Sequence, residues 1–206
     1  MTAMDAVPIA TRDITGVVLA GGRGSRLGGV DKGLVHLRGR PLIEYVIDAL
    51  RPQVGNLLIS ANRNCDIYAS YGYPVIADVM GDYDGPLAGM LSAMHHADTS
   101  YIVTVPCDVP ALPANLVERL VAAMTMMHRE ACMASCAGQV QPVFALMRRT
   151  LADGLQEYLV AGERGVENWM HRQQAAIVDF PDHNAFANIN TPEELQRLEK
   201  MSLRPA

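Results

Sequence analysis

Short apolar segments alternate with segments of helical periodicity along the first 130 residues of the chain. The apolar segments predict four strands, at 14–20, 56–62, 73–78 and 99–108. The segments between and after them predict helices at 41–52, 66–71, 85–98 and 113–128. Because strands that alternate with helices form a mostly parallel sheet with helices on both faces, the pattern predicts a Rossmann-like α/β fold.

The order of elements changes after residue 130. Two strands are predicted in succession, at 131–136 and 140–147, and we expect them to form a small antiparallel addition in the C-terminal half. Helices at 150–162 and 166–172 and a strand at 175–180 follow. The last helix is predicted to begin at Thr191, because Thr191, Pro192 and Glu194 have the spacing of a capping box.

The size and composition of the chain favour one globular domain. It has 206 residues, half of them hydrophobic, which is enough for a single core. We expect residues 1–13 to form a flexible N-terminal tail and 14–206 to form the domain. The tail lacks the basic start and apolar stretch of a secretory signal, and no apolar run is long enough to span a membrane. We therefore expect a cytoplasmic protein without a membrane partner.

Charge and cysteine spacing argue against two further classes of protein. The net charge of −5 does not favour nucleic acid as a partner, because phosphate neutralisation requires clustered lysines and arginines. Cys132 and Cys136 have the spacing C-x₃-C without a second pair of ligands, so free thiols are favoured over a zinc site. His95 and His96 are adjacent on a predicted helix, where their rings would not converge on a metal.

A glycine-rich segment, LAGGRGSRLGGVDKG at 19–33, follows the first predicted strand. Glycines, arginines and a lysine at the end of a buried strand are typical of a phosphate site. The P-loop pattern does not fit, because Lys32 is followed by Gly33 and not by Ser or Thr. The dinucleotide pattern does not fit either, because Gly22, Gly24 and Gly28 are spaced one residue too widely.

The segment instead fits the pattern L-A-G-G-x₃-R-x-G-x₂-D-K. It resembles the signature loop of nucleotidyltransferases, and most closely that of the molybdenum cofactor guanylyltransferases of the MobA type. The resemblance continues in the same order through LISAN, VIAD, GPLAG, PCD, AGER and NINTPEEL. It implies a nucleotidyltransferase-type fold and the transfer of GMP from GTP to the terminal phosphate of a molybdopterin-type molybdenum cofactor. It also implies the release of pyrophosphate and a requirement for Mg²⁺.

Candidate residues for GTP lie at the ends of the first, second, third and fourth predicted strands. We expect the backbone of Gly21 and Gly22 to face the β- and γ-phosphates, with Lys32 and Arg26 as catalytic positive charges. Asp108 is the candidate ligand of Mg²⁺, since this ion prefers oxygen ligands.

Base recognition is expected at Asn62 and Asp78, with help from the backbone of Leu19 and Ala20. Guanine carries two N–H donors side by side, and one carboxylate can accept both. Asp78 is therefore the candidate residue for reading guanine, and a helix-capping role is the simpler alternative.

Candidate residues for the acceptor come from the GPLAG, AGER and NINTPEEL segments. Gly85 and Gly89 place a helix N-terminus near the site, where its N–H groups can bind a phosphate. The resemblance adds Arg164, Asn188 and Asn190 on the pterin side. Gln139 and Gln141 face either the acceptor or solvent.

Two other functions stay open from the sequence. A cytidylyltransferase or a sugar-phosphate nucleotidyltransferase would use the same chemistry, although these relatives tend to have LAAG where this chain has LAGG. A carrier that delivers cofactor to molybdoenzymes without turnover is the second alternative, and the presence of both Lys32 and Asp108 argues against it. Molybdoenzymes that receive the product are expected partners in either case.

Overall fold

The computed structural model describes residues 8–22, 30–79, 85–182, 184–189 and 191–200. Its centre is a seven-stranded sheet in the order β5-β4-β1-β6-β8-β7-β9. The strands are β1 (Ile14–Leu19), β4 (Asn56–Ser60), β5 (Val75–Ile76), β6 (Tyr101–Pro106), β7 (Ala131–Cys136), β8 (Gln139–Arg148) and β9 (Ala176–Phe180). A separate hairpin contains β2 (His36–Leu37) and β3 (Arg40–Pro41).

Seven α-helices surround the sheet in the described part of the chain. They are α1 (Leu42–Leu50), α2 (Cys65–Ala69), α3 (Pro86–His96), α4 (Leu116–Met126), α5 (Ala152–Val160), α6 (Val166–Arg172) and α7 (Pro192–Lys200). None of the described helices is long and apolar enough to cross a membrane.

The prediction of a mostly parallel sheet is confirmed. Strand β1 pairs in parallel with β4 and β6, and β4 pairs in parallel with β5. Strand β8 runs antiparallel to both β6 and β7, whereas β7 and β9 are parallel. The predicted antiparallel addition is therefore a strand inserted into the main sheet, and it joins the first half of the sheet to the last two strands.

Helices cover both faces of the sheet, as the alternating pattern predicts. On one face α1 and α4 bury a stripe that includes Ile43, Leu50 and Leu120. On the other face α3, α5 and α6 bury a second cluster that includes Met90 and Trp169. Because β1 is buried from Ile14 to Val18 and contributes to both clusters, its sequence shows no polar alternation.

Two tight hairpins shape the chain near the carboxyl ends of the strands. Ala137 and Gly138 join β7 to β8, and both have positive φ values, of 52° and 75°. Arg38 and Gly39 join β2 to β3 with φ values of 52° and 78°. Two consecutive residues with positive φ give the backbone twist that a two-residue hairpin requires. The hairpin of β2 and β3 is too short to produce a periodic pattern, and the sequence did not predict it.

The start of α7 confirms the predicted capping box. The Thr191 N–H donates to Glu194 Oε2 at 3.1 Å, and the Glu194 N–H donates to Thr191 Oγ1 at 3.2 Å. Helix α7 packs against the hairpin of β2 and β3, where Leu195 and Leu198 contact a small cluster around Leu37.

The start of the described chain is packed against the domain. Thr11–Asp13 form a 3₁₀ turn, and the Ala10 N–H donates to Asp13 Oδ2 at 3.0 Å. A Cβ atom on Gly55 would lie 2.7 Å from Arg12 Cα, so this turn rests directly on the chain before β4. Thr11–Asp13, which the sequence analysis placed in the flexible tail, thus form a turn that packs against the domain. Residues 1–7 of the expected tail lie outside the described part.

The four cysteines are free thiols, and they differ in exposure. Cys65 is exposed, whereas Cys107, Cys132 and Cys136 are buried. Burial raises the pKa of Cys132 to about 12 and raises the pKa of Cys107 well above its ordinary value. Both thiols are therefore protonated at neutral pH, and the thiolate form that reacts with electrophiles is suppressed.

We predict that Cys65 is the only cysteine that a small disulfide reagent modifies quickly in the native protein. Titration with such a reagent should give about one thiol rapidly and four after denaturation, because three of the four thiols are buried. The variant Cys65→Ser should lose the rapid phase. A second thiol that reacts as quickly in Cys65→Ser would contradict the assignment.

Candidate active site

The candidate residues for GTP lie at one edge of the sheet because four neighbouring strands run in parallel. Strands β5, β4, β1 and β6 all end at this edge. Asp78, Asn62, Gly21 and Asp108 each follow one of these strands by one or two residues. The carboxyl edge of an open parallel sheet is where α/β proteins bind ligands. The structure thus brings together residues that are up to 87 positions apart in the sequence.

Asn62 and Asp78 form a reciprocal pair at this edge. Asn62 Nδ2 donates to Asp78 Oδ2 at 2.6 Å, and the Asp78 N–H donates to Asn62 Oδ1 at 2.9 Å. A third bond fixes the next residue, since the Val79 N–H donates to Oγ of the buried Ser92 at 2.9 Å. The side-chain amide of Asn62 is thus bonded to Asp78 through both its nitrogen and its oxygen, which fixes the Asp78 carboxylate.

Lys32 and Asp108 form an ion pair on the other side of Gly21. Lys32 Nζ lies 3.0 Å from Asp108 Oδ2, and the side chain of Asp108 is only 6% exposed. Lys32 begins a 3₁₀ turn, Lys32–Leu34, at the end of the glycine-rich segment. A buried carboxylate at a strand end that is paired with one lysine can offer its oxygens to a further cation.

Arg63 is a residue of this site that the sequence analysis missed. Its Nη2 donates to Gly22 O at 3.2 Å and to Val30 O at 3.1 Å, and its Nε lies 3.5 Å from Asp31 Oδ2. Arg63 follows Asn62 in the chain, so both come from the turn after β4. A lone arginine in a predicted loop gives no signal in the sequence, because most such arginines are solvated.

Asp31 is the buried centre of a hydrogen-bonded network. It is 7% exposed, accepts a bond from Asn64 Nδ2 at 3.0 Å, and accepts another from the Tyr68 hydroxyl. Burial, and then the neighbouring Cys107 and the bond to Asp31, raise the pKa of Tyr68. The tyrosine therefore stays a neutral donor to Asp31 throughout the ordinary pH range.

Glycines in this region allow close packing of the elements around the site. A Cβ atom on Gly33 would lie 2.7 Å from Tyr68 Oη, and one on Gly89 would lie 2.6 Å from Ser60 Oγ. Gly85 has a φ of 80° at the start of α3, a conformation that glycine adopts without strain. Gly89 thus has a packing role in the first turns of α3, in addition to the predicted acceptor contact.

The NINTPEEL segment reaches the same edge through a backbone bond. The Ile189 N–H donates to Asp108 O at 3.1 Å, which places the exposed Asn188 next to the candidate metal ligand. Arg164 Nη1 donates to Leu159 O and Glu163 O, each at 2.8 Å. Those bonds tie Arg164 to the end of α5, so its predicted contact with the acceptor stays a prediction.

An open cleft of about 200 Å³ lies beside this segment. Its lining residues are Cys136, Ala137, Gln139, Gln141, Phe186 and Ala187. Phe186 packs edge-on against Phe144 and Phe180, with ring centroids at 4.6 and 5.2 Å. The cleft therefore has a rigid aromatic side and two amide side chains. Gln139 and Gln141, for which the sequence left acceptor and solvent open, both line it.

Two predicted site residues lie outside the described part of the chain. They are Arg26 in the glycine-rich segment and Asn190 before α7. Their predicted roles toward the triphosphate and the acceptor remain predictions.

The fold is that of nucleotidyltransferases. A solved structure from Archaeoglobus fulgidus, described as molybdopterin-guanine dinucleotide biosynthesis protein A, superposes with a TM-score of 0.74 at 25% identity. That similarity covers 90% of this chain and 97% of the other. The family profile described as the MobA-like NTP transferase domain matches residues 16–177. The chain therefore belongs to the MobA-like NTP transferase family, as its motifs predicted.

Relatives with higher identity share one name. A protein of Ralstonia pickettii named molybdenum cofactor guanylyltransferase is 47% identical, over 92% of this chain and 98% of that relative. A protein of Shewanella loihica with the same name is 46% identical, over 91% of this chain and 96% of that relative. The similarity extends over nearly the full length of each relative.

Proposed function

We propose that the protein transfers GMP from GTP to the terminal phosphate of a molybdopterin-type molybdenum cofactor. The products are the guanine dinucleotide form of the cofactor and pyrophosphate. The observation that carries the proposal is one sheet edge with a fixed carboxylate, Asp78, at one end and the Lys32–Asp108 ion pair at the other. The names of the relatives supply the acceptor.

Asp78 would read the guanine base. Its carboxylate can accept hydrogen bonds from guanine N1–H and N2–H₂, two donors that cytosine lacks. Asn62 would act on the base indirectly, because its amide is bonded to Asp78. An aspartate that is held in this way loses little conformational freedom when the nucleotide binds.

The phosphates of GTP would lie between Gly22 and Lys32. Gly22 is exposed, and a Cβ placed on it would meet no atom of the described residues within 4 Å, so the described part of the chain leaves room for a ligand beside its backbone. Backbone N–H groups of Gly21 and Gly22 and the ammonium of Lys32 would neutralise the triphosphate. Arg26 is proposed to add a further positive charge.

The proposed reaction is an in-line displacement at the α-phosphorus. An oxygen of the acceptor's terminal phosphate forms a bond to the α-phosphorus, and the bond to the bridging oxygen breaks as pyrophosphate leaves. The attacking oxygen is already anionic, so no proton has to be removed by a strong base. Catalysis then depends on positioning and on charge neutralisation by Lys32.

Enzymes of the nucleotidyltransferase class generally use a divalent metal, and we propose Mg²⁺ at Asp108. The residues fit such an ion: Asp108 is a buried carboxylate at a strand end, and Mg²⁺ typically combines one or two carboxylates with substrate phosphates. No group of three His, Cys, Asp or Glu side chains suited to a metal occurs in the described ranges, so phosphate oxygens would complete the coordination. When bound, the ion would stabilise negative charge on those oxygens.

The acceptor would lie on the side of Asp108 away from Asp78. Ile189 joins the NINTPEEL segment to Asp108. Phe186 and Ala187, which shortly precede Ile189 in the chain, line the cleft together with Gln139 and Gln141. A planar pterin ring would stack near Phe186 and bond the two amides, while its phosphate arm extends to Asp108. Arg164, Asn188 and Asn190 are proposed to complete this part of the acceptor site. Gly85 and Gly89 begin the helix that packs at the ends of β1 and β4, and an acceptor phosphate that reaches this helix N-terminus is a separate part of the proposal.

The same reaction with CTP is the alternative within the class, and a carrier without turnover is the alternative outside it. The Asp78 carboxylate favours guanine over cytosine, because guanine offers two adjacent donors whereas cytosine offers one donor, N4–H₂, beside the acceptors N3 and O2. Molybdoenzymes that receive the product, and a cytoplasmic location where GTP is available, belong to the proposal.

We predict that pyrophosphate is released with GTP and not with CTP, ATP or UTP, in the presence of Mg²⁺ and molybdopterin. A coupled pyrophosphate assay with each nucleotide in turn measures this. Release mainly with CTP would keep the reaction class and refute the role of Asp78. Binding of GTP without any release would favour the carrier.

We predict that Asp78→Ala lowers kcat/KM for GTP by about 100-fold and removes the preference over CTP, because the guanine donors lose their acceptor. The exposed Asp66→Ala, on the neighbouring α2, is the matched control and should behave like the wild type. An unchanged ratio of kcat/KM for GTP and CTP in Asp78→Ala would refute the assignment.

We predict that Gln141→Ala raises KM for the acceptor by about 5-fold and leaves KM for GTP unchanged, since a lost hydrogen bond is worth about 1 kcal/mol. Gln156→Ala, an exposed glutamine on α5, serves as the control. Steady-state kinetics with each substrate varied separately gives both constants. A KM for the acceptor equal to that of the wild type would place the pterin outside the cleft.

A further inference from the structure

Arg63 joins two positions within the glycine-rich segment, Gly22 and Val30. One atom, Nη2, donates to Gly22 O at 3.2 Å and to Val30 O at 3.1 Å. These carbonyls are eight residues apart in the sequence. Gly22 lies three residues after the end of β1, and Val30 directly precedes Asp31. A single guanidinium nitrogen therefore holds these two positions of the backbone together.

Arg63 is itself held in place by Asp31. Its Nε lies 3.5 Å from Asp31 Oδ2, and the side chains of the two residues are 25% and 6% exposed. Asp31 also accepts bonds from Asn64 and Tyr68, so three side chains after β4 converge on one carboxylate. Asp31 directly precedes Lys32, and the position of Arg63 is therefore coupled to that of the lysine that pairs with Asp108.

We propose that Arg63 is a positioning residue for the triphosphate. By holding Gly22 and Val30, it sets the distance between the Gly21–Gly22 amides and the Lys32 ammonium. The proposal rests on the proposed function only as far as these groups bind phosphate. A lysine cannot replace it, because its one nitrogen cannot bond both carbonyls and also pair with Asp31, whereas Arg63 uses Nη2 for the carbonyls and Nε for the ion pair.

Adjacent residues of the turn after β4 thus serve different parts of the nucleotide. Asn62 bonds Asp78 on the base side, whereas Arg63 bonds the glycine-rich segment on the phosphate side. Loss of Arg63 should therefore weaken the binding of all nucleoside triphosphates by the same factor. Loss of Asp78 should selectively weaken the binding of GTP.

The test is the binding of inorganic tripolyphosphate, which has the charges of the triphosphate but no base and no acceptor. Calorimetric titration of wild type, Arg63→Ala and Arg63→Lys measures it. We expect both variants to bind tripolyphosphate about 10- to 100-fold more weakly, since small displacements of binding groups are costly. Their ratio of kcat/KM for GTP and CTP should equal that of the wild type. Millimolar guanidinium should restore binding in Arg63→Ala.

Arg149→Ala is the matched control, because Arg149 also bonds a backbone carbonyl of another segment, Ala97 O at 3.1 Å, near the start of β6. It should bind tripolyphosphate like the wild type. The proposal is overturned if Arg63→Ala binds tripolyphosphate as tightly as the wild type, or if Arg63→Lys restores full affinity so that charge alone suffices.

Two further readouts separate this proposal from simpler explanations. A general loss of folding would lower the melting temperature of Arg63→Ala and would not respond to guanidinium, and that result would also overturn the positioning role. Failure of the wild type to release pyrophosphate with GTP would refute the proposed function. The tripolyphosphate comparison would still stand, because it requires neither guanine nor acceptor.

Discussion

Backbone hydrogen bonds on both sides of β1 set the geometry on which the candidate site depends. The Ala20 N–H donates to Ser60 O at 2.8 Å, and Leu19 O accepts from the Cys107 N–H at 3.1 Å. These bonds continue the parallel ladders to the last residue of each strand, so the three strands end at the same height. Side chains that follow the strands then meet at one edge of the sheet. Parallel pairing therefore has the primary role, and the side chains of the site are secondary to it.

Close packing supports this edge from below. A Cβ atom on Gly89 would lie 2.9 Å from Leu19 Cδ2 as well as close to Ser60, so α3 can approach the ends of β1 and β4 only with glycine at that position. Ser92, one turn later, accepts from the Val79 N–H and fixes the chain after Asp78. One helix thus packs against the strand ends and also fixes the segment that would read the base.

Charge at the site is arranged in two separate pairs with different environments. Lys32 pairs with Asp108, whereas Arg63 pairs with Asp31, which also accepts a hydrogen bond from the Tyr68 hydroxyl. Burial of the tyrosine raises its pKa, so its hydroxyl stays a neutral hydrogen-bond donor to Asp31. The first pair lies where we propose that substrate phosphate and a metal ion bind. In the second pair, Arg63 bonds the backbone of the glycine-rich segment, which also contains Lys32.

Local patterns in the sequence determined the elements and the family, and tertiary structure decided which residues meet. The alternation of strands and helices, the Thr191–Glu194 capping box and the strand-end positions of Asn62, Asp78 and Asp108 follow from short-range periodicity and side-chain chemistry. The partners of Arg63, at sequence separations of 41 and 33 residues, have no local signature. The same is true of the cleft beside Phe186, because its lining depends on strand order and on the register of the β7–β8 hairpin. Periodicity records which face of an element is buried, but only the assembled sheet determines what lies against it.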